Sequence, residues 1–540
     1  MSRPRLLTVT ATLLWALIAC RPATPPGGDL MVIVVVDQMR FDYIERFGST
    51  WTDGLARLTR EGAFFENAFY PYLSTVTCPG HATISTGTYP ATHGLINNEW
   101  WDRSAGRVTS CTEDPSVSSI SYGSTREAVG HSAHRLRVPT LGDRLRAASP
   151  DSRVVTLSMK PRSSVMLAGH GGTAVTWFSD ANSWATSTAF TRTAVPEVDR
   201  YVRSHPVESD RRRSWDRMFP ESRYGGKDDG DGERPPNGWT RVFPHPLAGD
   251  PAKPRQFFDL WRTSPFADEA LGAMAGALID AFQLGRRGRL DFLGISFSAL
   301  DSVGHAFGPD SHEVQDTLFR LDRTIGSLLT HLDERVGPDH YVLALSADHG
   351  VAGIPEALRA QGKDAGRLLA PELQQAAEAA MAAAYGPGPH ISHVQYTDIY
   401  LTDAMRQRAA ADPAVLQPLV NALSRVDGVL RVIPTSGLEA KRASNDPIER
   451  AAALTYVSGE SGDVIVVLKP DWSSAPTAAA THGTLHSYDQ HVPLVLFGHG
   501  VKPGRYNDAA SPADIAPTLA RVVKLDLAGT EGKPLTSALK

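Results

Sequence analysis

The chain has little cysteine, no excess of basic charge and no repeat of fixed period, and each shortage narrows what it can be. Three cysteines in 540 residues leave room for one disulfide and an odd thiol. A net charge of −5 without a basic stripe argues against nucleic acid as a specific partner. The apolar run Leu6 to Ala19 is too short to favour a spanning helix. What is present is ordinary for a globular chain, with 42% hydrophobic and 21% charged residues. The length suits one large α/β domain with insertions, or two or three smaller domains.

Arg3 and Arg5 ahead of that apolar run read as a signal peptide over residues 1–19. The run ends Leu17-Ile18-Ala19-Cys20, which resembles a bacterial lipoprotein box, so Cys20 is expected to carry a lipid and residues 20–29 to form a loose linker. An ordinary signal peptide cleaved nearby is the other reading. Both send the protein out to a periplasm or cell envelope, and loss of Arg3 and Arg5 takes the net charge from −5 to −7. Cys78 and Cys111 then remain, either as a disulfide or as two separate buried thiols.

Strands and helices alternate along the rest. Leu30 to Val36 is an unbroken apolar, β-branched run of the kind buried on both faces of a parallel-type sheet. Ala63 to Tyr70, Arg153 to Leu157, Thr173 to Ser179, Leu290 to Phe297, Tyr341 to Leu345, Val464 to Leu468 and Val492 to Phe497 are further strands. Val314, Leu318, Leu321, Ile325, Leu328 and Leu332 fall at alternating steps of four and three, the mark of an amphipathic helix. Residues 204–254, rich in Asp, Gly, Arg and Pro, read as a long surface excursion and not as core. The pattern predicts an α/β sandwich carrying large insertions.

Three core strands end in acidic or histidine-bearing loops: Asp37; Asp301 with His305; Asp348 with His349. A fourth loop, with His486, precedes Val492 to Phe497. If the strands share one sheet, the six side chains converge along one edge, where open α/β sheets bind ligands. Carboxylates and imidazoles without thiolate suit zinc, and six ligands would serve two ions. Capping accounts for a lone Asp after a strand, but not for the accompanying His. Thr77 stands where a short helix begins, with Pro79 in its first turn and Gly87 past its end. It reads either as a helix cap or as a nucleophile in the positive field of a helix N-terminus.

The stretches Val36-Asp37-Gln38, Thr75 to His81, His93-Gly94 with Asn97-Asn98, Lys160-Pro161-Arg162, Asp301 to His305, Ser346 to Gly350 and Gly483 to Asp489 together resemble the alkaline phosphatase superfamily. Within it they are similar to the nucleotide pyrophosphatase/phosphodiesterase branch, in particular to its phosphomonoesterases of the PafA type. The resemblance implies a three-layer α/β/α sandwich with a mostly parallel central sheet. It implies one catalytic domain over residues 30–540, with insertions at roughly 99–140, 163–265 and 355–480. It further implies two Zn2+ per chain, one on Asp37, Thr77, Asp348 and His349, the other on Asp301, His305 and His486. Thr77 would be the nucleophile and Asn98 a donor to a phosphoryl oxygen, with Asn97 the less fitting neighbour.

Lys160 and Arg162 would grip the terminal oxygens of a phosphate monoester, both reaching one side as alternating residues of an extended segment do. The implied enzyme is a monomeric alkaline phosphatase acting on small phosphate esters, touching a membrane only through a lipid at Cys20. Trp100 and Trp101 read as core, with a place beside the leaving group as the other reading. A phosphodiesterase or nucleotide pyrophosphatase on the same residues is the alternative. A sulfatase would need a Cys-x-Pro-x-Arg pattern that Thr77-Cys78-Pro79-Gly80 does not provide. An envelope lipoprotein that binds phosphate compounds without turnover would leave the six metal-type residues unexplained.

Overall fold

Every residue of Leu30–Val36 (β1) is buried, as an unbroken β-branched run requires when both faces of a sheet are covered. The computed structural model describes residues 29–123 and 125–540; the expected signal peptide, Cys20 and the linker up to Gly28 lie outside the described residues. β1 sits inside a ten-stranded sheet. The other members, in chain order, are β2 (Ala63–Ala68), β3 (Ser119–Ser121), β4 (Val154–Ser158), β5 (Ala174–Phe178), β6 (Trp184–Ser187), β7 (Asp291–Phe297) and β8 (Tyr341–Ser346). A separate sheet of four strands comes next, made of β9 (Ile391–Gln395), β10 (Asp398–Leu401), β11 (Val429–Pro434) and β12 (Val464–Leu468). The chain then returns to the central sheet with β13 (Leu494–Gly498) and β14 (Gly504–Ala510). The central order is β14-β2-β13-β8-β1-β7-β4-β5-β6-β3.

Pairing is parallel at the middle, where β1 joins β7 and β8 and β7 joins β4. It is antiparallel where β13 enters between β8 and β2, and where β6 and β3 close the far edge. The sheet is therefore mixed but mostly parallel, as expected: β13 and β6 run against its other eight strands. A short link such as that between β5 and β6 makes a hairpin, whereas parallel neighbours need a long crossover.

Alternate residues of β1 feed opposite layers. Leu30, Val32, Val34 and Val36 join one core with Leu271 and Met274 of α3 (Pro265–Ala281) and Leu318 and Ile325 of α5 (His312–Arg335). Met31, Ile33 and Val35 join the other with Ile84 of α1 (Thr77–Thr86), Leu167 of α2 (Pro161–Ala168) and Leu519 of α6 (Ile515–Val522). Between α3 and α5 lies α4 (Ala299–Phe307). The six apolar residues spaced along α5 are all buried, as their four-three steps require. Among the described residues no helix is long and apolar enough to cross a membrane.

Two local expectations are revised, while β12 falls within the insertion expected over 355–480. The excursion 204–254 is largely irregular, yet its Trp215, Trp239 and Leu247 are anchored in the main core, because large apolar side chains gain most by burial. β12 belongs to the four-stranded sheet, which has its own core around Met381, Ile399, Leu419 and Val466. α2 and β5, expected inside an insertion from residue 163, are layers of the central fold.

Under the excursion lies a titratable cluster. His245 Nε2 is 2.8 Å from Glu313 Oε1, both side chains fully buried. Burial holds His245 down at about 3 and pushes Glu313 up to about 9, so the contact joins two neutral groups and is no ion pair. Glu233 adds to the upward push on Glu313 and is itself raised by burial to about 8, while Asp228, paired with Arg217, stands on the same side. A raised carboxyl holds a proton that the unfolded chain has lost, so it removes stability as pH rises from the unfolded value towards the folded one. Glu313→Gln keeps a hydrogen-bonding neutral group there. Its stability advantage over the parent is expected to widen between about pH 5 and pH 9, by at most about 1.4 kcal/mol per pH unit. Denaturant unfolding at about pH 5, 7 and 9 checks this, and a difference independent of pH would contradict it.

Candidate active site

The ends of β1, β4, β7 and β8 lie level with one another, since Val35 pairs with Ser296 and Ser346, and Ser296 with Ser158. The residues just past these ends therefore gather: Asp37, Lys160, Asp301 on α4, and Asp348 with His349. β13 runs the opposite way, so the loop preceding it reaches the same edge. That is where side chains in an open α/β sheet meet a ligand.

Thr77 is the first residue of α1, and the capping position is Val76, which has no side chain able to cap. The threonine hydroxyl is thus not the helix cap, and it makes no hydrogen bond among the described residues. α1 lies close against Asp348 because residue 80 is glycine; a Cβ there would stand 2.3 Å from the Asp348 carbonyl oxygen. One turn on, His81 Nδ1 is 2.8 Å from the Thr77 carbonyl oxygen and 3.2 Å from Asp348 Oδ2, and Nε2 is 2.8 Å from Ser296 Oγ. Cys78 and Cys111 form a disulfide, which settles the choice the sequence left open.

Three imidazoles share one arrangement. Nδ1 of His349 lies 2.9 Å from the Gly350 carbonyl oxygen, that of His305 2.8 Å from Ala480 O, and that of His482 3.1 Å from Thr75 O. A carbonyl only accepts, so each Nδ1 carries a proton and each Nε2 is turned into the centre. Those nitrogens face carboxylates. His349 Nε2 is 3.4 Å from Asp37 Oδ1 and 3.5 Å from Asp348 Oδ2; His305 and His482 Nε2 are 3.2 and 3.6 Å from Asp301 Oδ1. Asp37 Oδ1, Asp348 Oδ2 and His349 Nε2 are buried without a hydrogen-bond partner. Acceptors aimed at acceptors in a buried place call for cations between them. The donor atoms of Asp301, His305 and His482, and those of Asp37, Asp301 and His349, lie within 4.8 Å of one another in each group. Imidazole and carboxylate donors without thiolate fit divalent ions of the zinc kind.

Lys160 Nζ stands between the two groups, 2.6 Å from Asp37 Oδ2 and 2.6 Å from Asp301 Oδ2. Burial, with Asp301 and Asp348 nearby, pushes Asp37 well above the usual carboxylate range. Burial would also raise Asp301, but the Lys160 ammonium and His305 outweigh it and hold that carboxyl well below. Burial and the neighbouring His349 and His305 rings keep His482 well below the usual histidine value.

Gln38 is a member of the site that its residue type does not announce. Its N–H donates to Asp348 Oδ1 at 3.1 Å and its Nε2 to Asp301 Oδ1 at 2.7 Å. It does so with φ +70°, a left-handed backbone that non-glycine residues rarely adopt. Its one sequence signal is adjacency to Asp37.

Asn98 Oδ1 accepts from the Cys78 N–H at 2.8 Å, which leaves its amide N–H2 to donate outward. Asn98, Lys160 and Arg162 line one polar cavity of about 300 Å3. Arg162 makes no salt bridge among the described residues, and its Nε is buried without a partner. The expected reason for the pairing of Lys160 and Arg162 does not hold. Lys160 is the capping residue of α2 and Arg162 lies in its first turn, because Pro161 opens a helix. Trp100 is core, and Trp101 stacks on His393 with ring centres 4.5 Å apart.

The structure does not bring His486 into the cluster. Its Nε2 is held 3.0 Å from the Leu468 carbonyl oxygen, on the four-stranded sheet. His482, four residues earlier, fills the expected place, its ring stacked on His349 at 3.5 Å. The two histidines lie in an irregular loop where no periodicity marks which one faces inward.

Comparison with known proteins agrees with this geometry. Residues 31–489 match the family model for type I phosphodiesterase / nucleotide pyrophosphatase. The chain is 32% identical to the alkaline phosphatase PhoV of Synechococcus elongatus, over 96% of this chain and 94% of that one. It is 32% identical to the alkaline phosphatase PafA of Elizabethkingia meningoseptica, over 95% of each. The crystal structure of wild-type PafA superposes with a TM-score of 0.88, covering 95% of this chain and 99% of that one. Murine ectonucleotide pyrophosphatase/phosphodiesterase 5 shares the fold at 13% identity and a TM-score of 0.54.

His482→Ala is expected to weaken binding of a zinc-type ion at least about tenfold to a hundredfold, while His486→Ala leaves it unchanged. Titration of the metal-stripped protein with zinc separates the two, and the opposite order would restore His486. Cys78→Ser with Cys111→Ser opens a loop of 33 residues and is expected to cost about 3–4 kcal/mol of unfolding free energy. Denaturant unfolding with and without reductant checks this.

Proposed function

The chain belongs to the type I phosphodiesterase / nucleotide pyrophosphatase family, and we propose that within it the protein is an exported, zinc-dependent alkaline phosphatase that hydrolyses phosphate monoesters through a phosphothreonine. The observation that carries this reading is Thr77: a hydroxyl at a helix start, neither a cap nor hydrogen-bonded, on a helix that packs through Gly80 and His81 against Asp348, one of the residues with an unpartnered buried oxygen. The names of the relatives, alkaline phosphatases of near-equal length, support the reaction class.

Asp37, Asp348 and His349 with Thr77 would hold one zinc ion, and Asp301, His305 and His482 the other. When bound, the pair supplies acidification of the threonine hydroxyl and of a water, and neutralises charge on the departing and phosphoryl oxygens. The chain's own groups do the rest. The α1 N-terminus favours negative charge on Thr77 Oγ1. Attack on phosphorus breaks the ester bond, forms phosphothreonine and frees the alcohol. Water then cleaves the phosphothreonine, and two in-line displacements give net retention at phosphorus. Asn98 Nδ2 donates to an equatorial oxygen, held in place by the Cys78 N–H. Lys160 and Arg162 bind the remaining oxygens of the dianion, which offers them more charge than a diester does. Gln38 and His81 act as positioning residues, fixing Asp301, Asp348 and the Thr77 backbone. Export is supported by the residues 3–20 pattern and by the Cys78–Cys111 bridge, which suits an oxidising compartment.

A chelator is expected to abolish hydrolysis of p-nitrophenyl phosphate, with zinc restoring it. Thr77→Ala should lose about a thousandfold or more in kcat, and Thr77→Ser much less. Lys160→Ala and Arg162→Ala should each lower kcat/KM for the monoester by roughly 10–150-fold while lowering that for bis-p-nitrophenyl phosphate less. Equal losses on both esters would return the assignment to a phosphodiesterase, and wild-type rates would reject Thr77 as nucleophile.

A further inference from the structure

A second cavity, of about 460 Å3, opens beside the cluster, and nothing in the reaction above uses it. One wall is the cluster itself, through His305, His482 and Asn98. The facing wall comes from the four-stranded sheet and its neighbourhood, through Leu468 of β12, Trp472 and Tyr396 at the turn between β9 and β10. The lining is mostly apolar, and its size is in the range of small-molecule sites.

Asn98 lines both this cavity and the polar one that holds Lys160 and Arg162. A phosphoryl group at Asn98 therefore has a cationic recess on one side and an apolar one on the other. A monoester has a single organic group. Its free oxygens match the cations, so the organic group has the apolar recess left to it.

Tyr396 brings an aromatic side chain to this cavity. It is the first residue of the two-residue turn between β9 and β10, which accounts for its φ of +53°. It is exposed, and its side chain is near enough to Arg162 and Glu99, which line the polar cavity, to feel both charges. Deeper in, Asp398 accepts from the Gly462 N–H at 2.9 Å through one oxygen; the other makes no hydrogen bond among the described residues. It offers an acceptor to an N–H or O–H at the far end of a ligand.

We infer that this cavity seats the alcohol part of the phosphate ester, that it selects aromatic alcohols over small aliphatic ones, and that Tyr396 is a specificity-determining residue. The inference rests on the monoesterase reading. The test compares kcat/KM for 2-naphthyl phosphate and glycerol phosphate in the parent, Tyr396→Gly and Tyr396→Phe. Glycine tolerates a positive φ, so the first variant removes the ring without unfolding the turn. It is expected to lower the naphthyl-to-glycerol ratio about tenfold or more while glycerol phosphate changes less than about twofold; phenylalanine restores the ratio. Calorimetry should show the same loss in affinity for 2-naphthylphosphonate relative to methylphosphonate. An equal change on both esters, or none on either, overturns the inference. A parent that hydrolyses neither ester would instead reject the monoesterase reading, and the two phosphonates would still decide for or against the cavity.

Discussion

The centre of this protein depends on one repeated constraint: an imidazole pinned through Nδ1–H to a backbone carbonyl. His349, His305 and His482 each obey it, and each is thereby locked with its Nε2 towards a carboxylate. In water such a ring would turn to find a donor. His349 Nε2, buried beside Asp37 and Asp348, has none, and neither has Asp37 Oδ1 or Asp348 Oδ2, so acceptors are held against acceptors in a standing conflict. The fold maintains that conflict with devices far from the chemistry. Asp268 accepts from the Ser298 and Ala299 N–H groups and so fixes the start of α4, which carries Asp301 and His305. Gln38 adopts a left-handed backbone to tie Asp301 to Asp348.

The proposed nucleophile is held by the same economy of parts. Thr77, Cys78 and Asn98 form one mechanical unit, because the Cys78 N–H binds Asn98 Oδ1, the Cys111 N–H binds Asn98 O, and the two sulfurs are joined. The hydroxyl and the amide that would meet one phosphoryl group are thus braced against each other by short local links.

Much of this is legible in the sequence, and the reason is the sheet. A β-branched run such as Leu30–Val36 can only be a strand buried on both faces, and the residues just past its end land on the ligand-bearing edge. Asp37, Asp301, His305, Asp348 and His349 are readable on that ground. His482 is not, because it lies in an irregular loop where four residues separate two histidines and only tertiary contact chooses between them. Gln38 stands in the stretch Val36-Asp37-Gln38, yet its role is not readable there, because it lies in a backbone angle and in two hydrogen bonds that only the fold reveals. Lys160 and Arg162 belong to the cavity as expected but on a different local geometry, since Pro161 begins a helix in place of an extended segment.

Charge balance links the centre to the kind of ester it would accept. Three carboxylates, Asp37, Asp301 and Asp348, face one ammonium, Lys160, and the excess negative charge adds to burial in lifting Asp37 out of the ordinary carboxylate range. Two divalent cations would reverse the sign of the centre and leave it with two positive charges, Arg162 adding one more at the rim. A monoester dianion and an ionised threonine would together cancel that total. A singly charged diester would leave part of it uncompensated in a buried site, where uncompensated charge is costly. A diester would also bring a second organic group to the recess that Lys160 and Arg162 line. A preference for monoesters would therefore rest on the count of charges around the sheet edge as much as on any single contact.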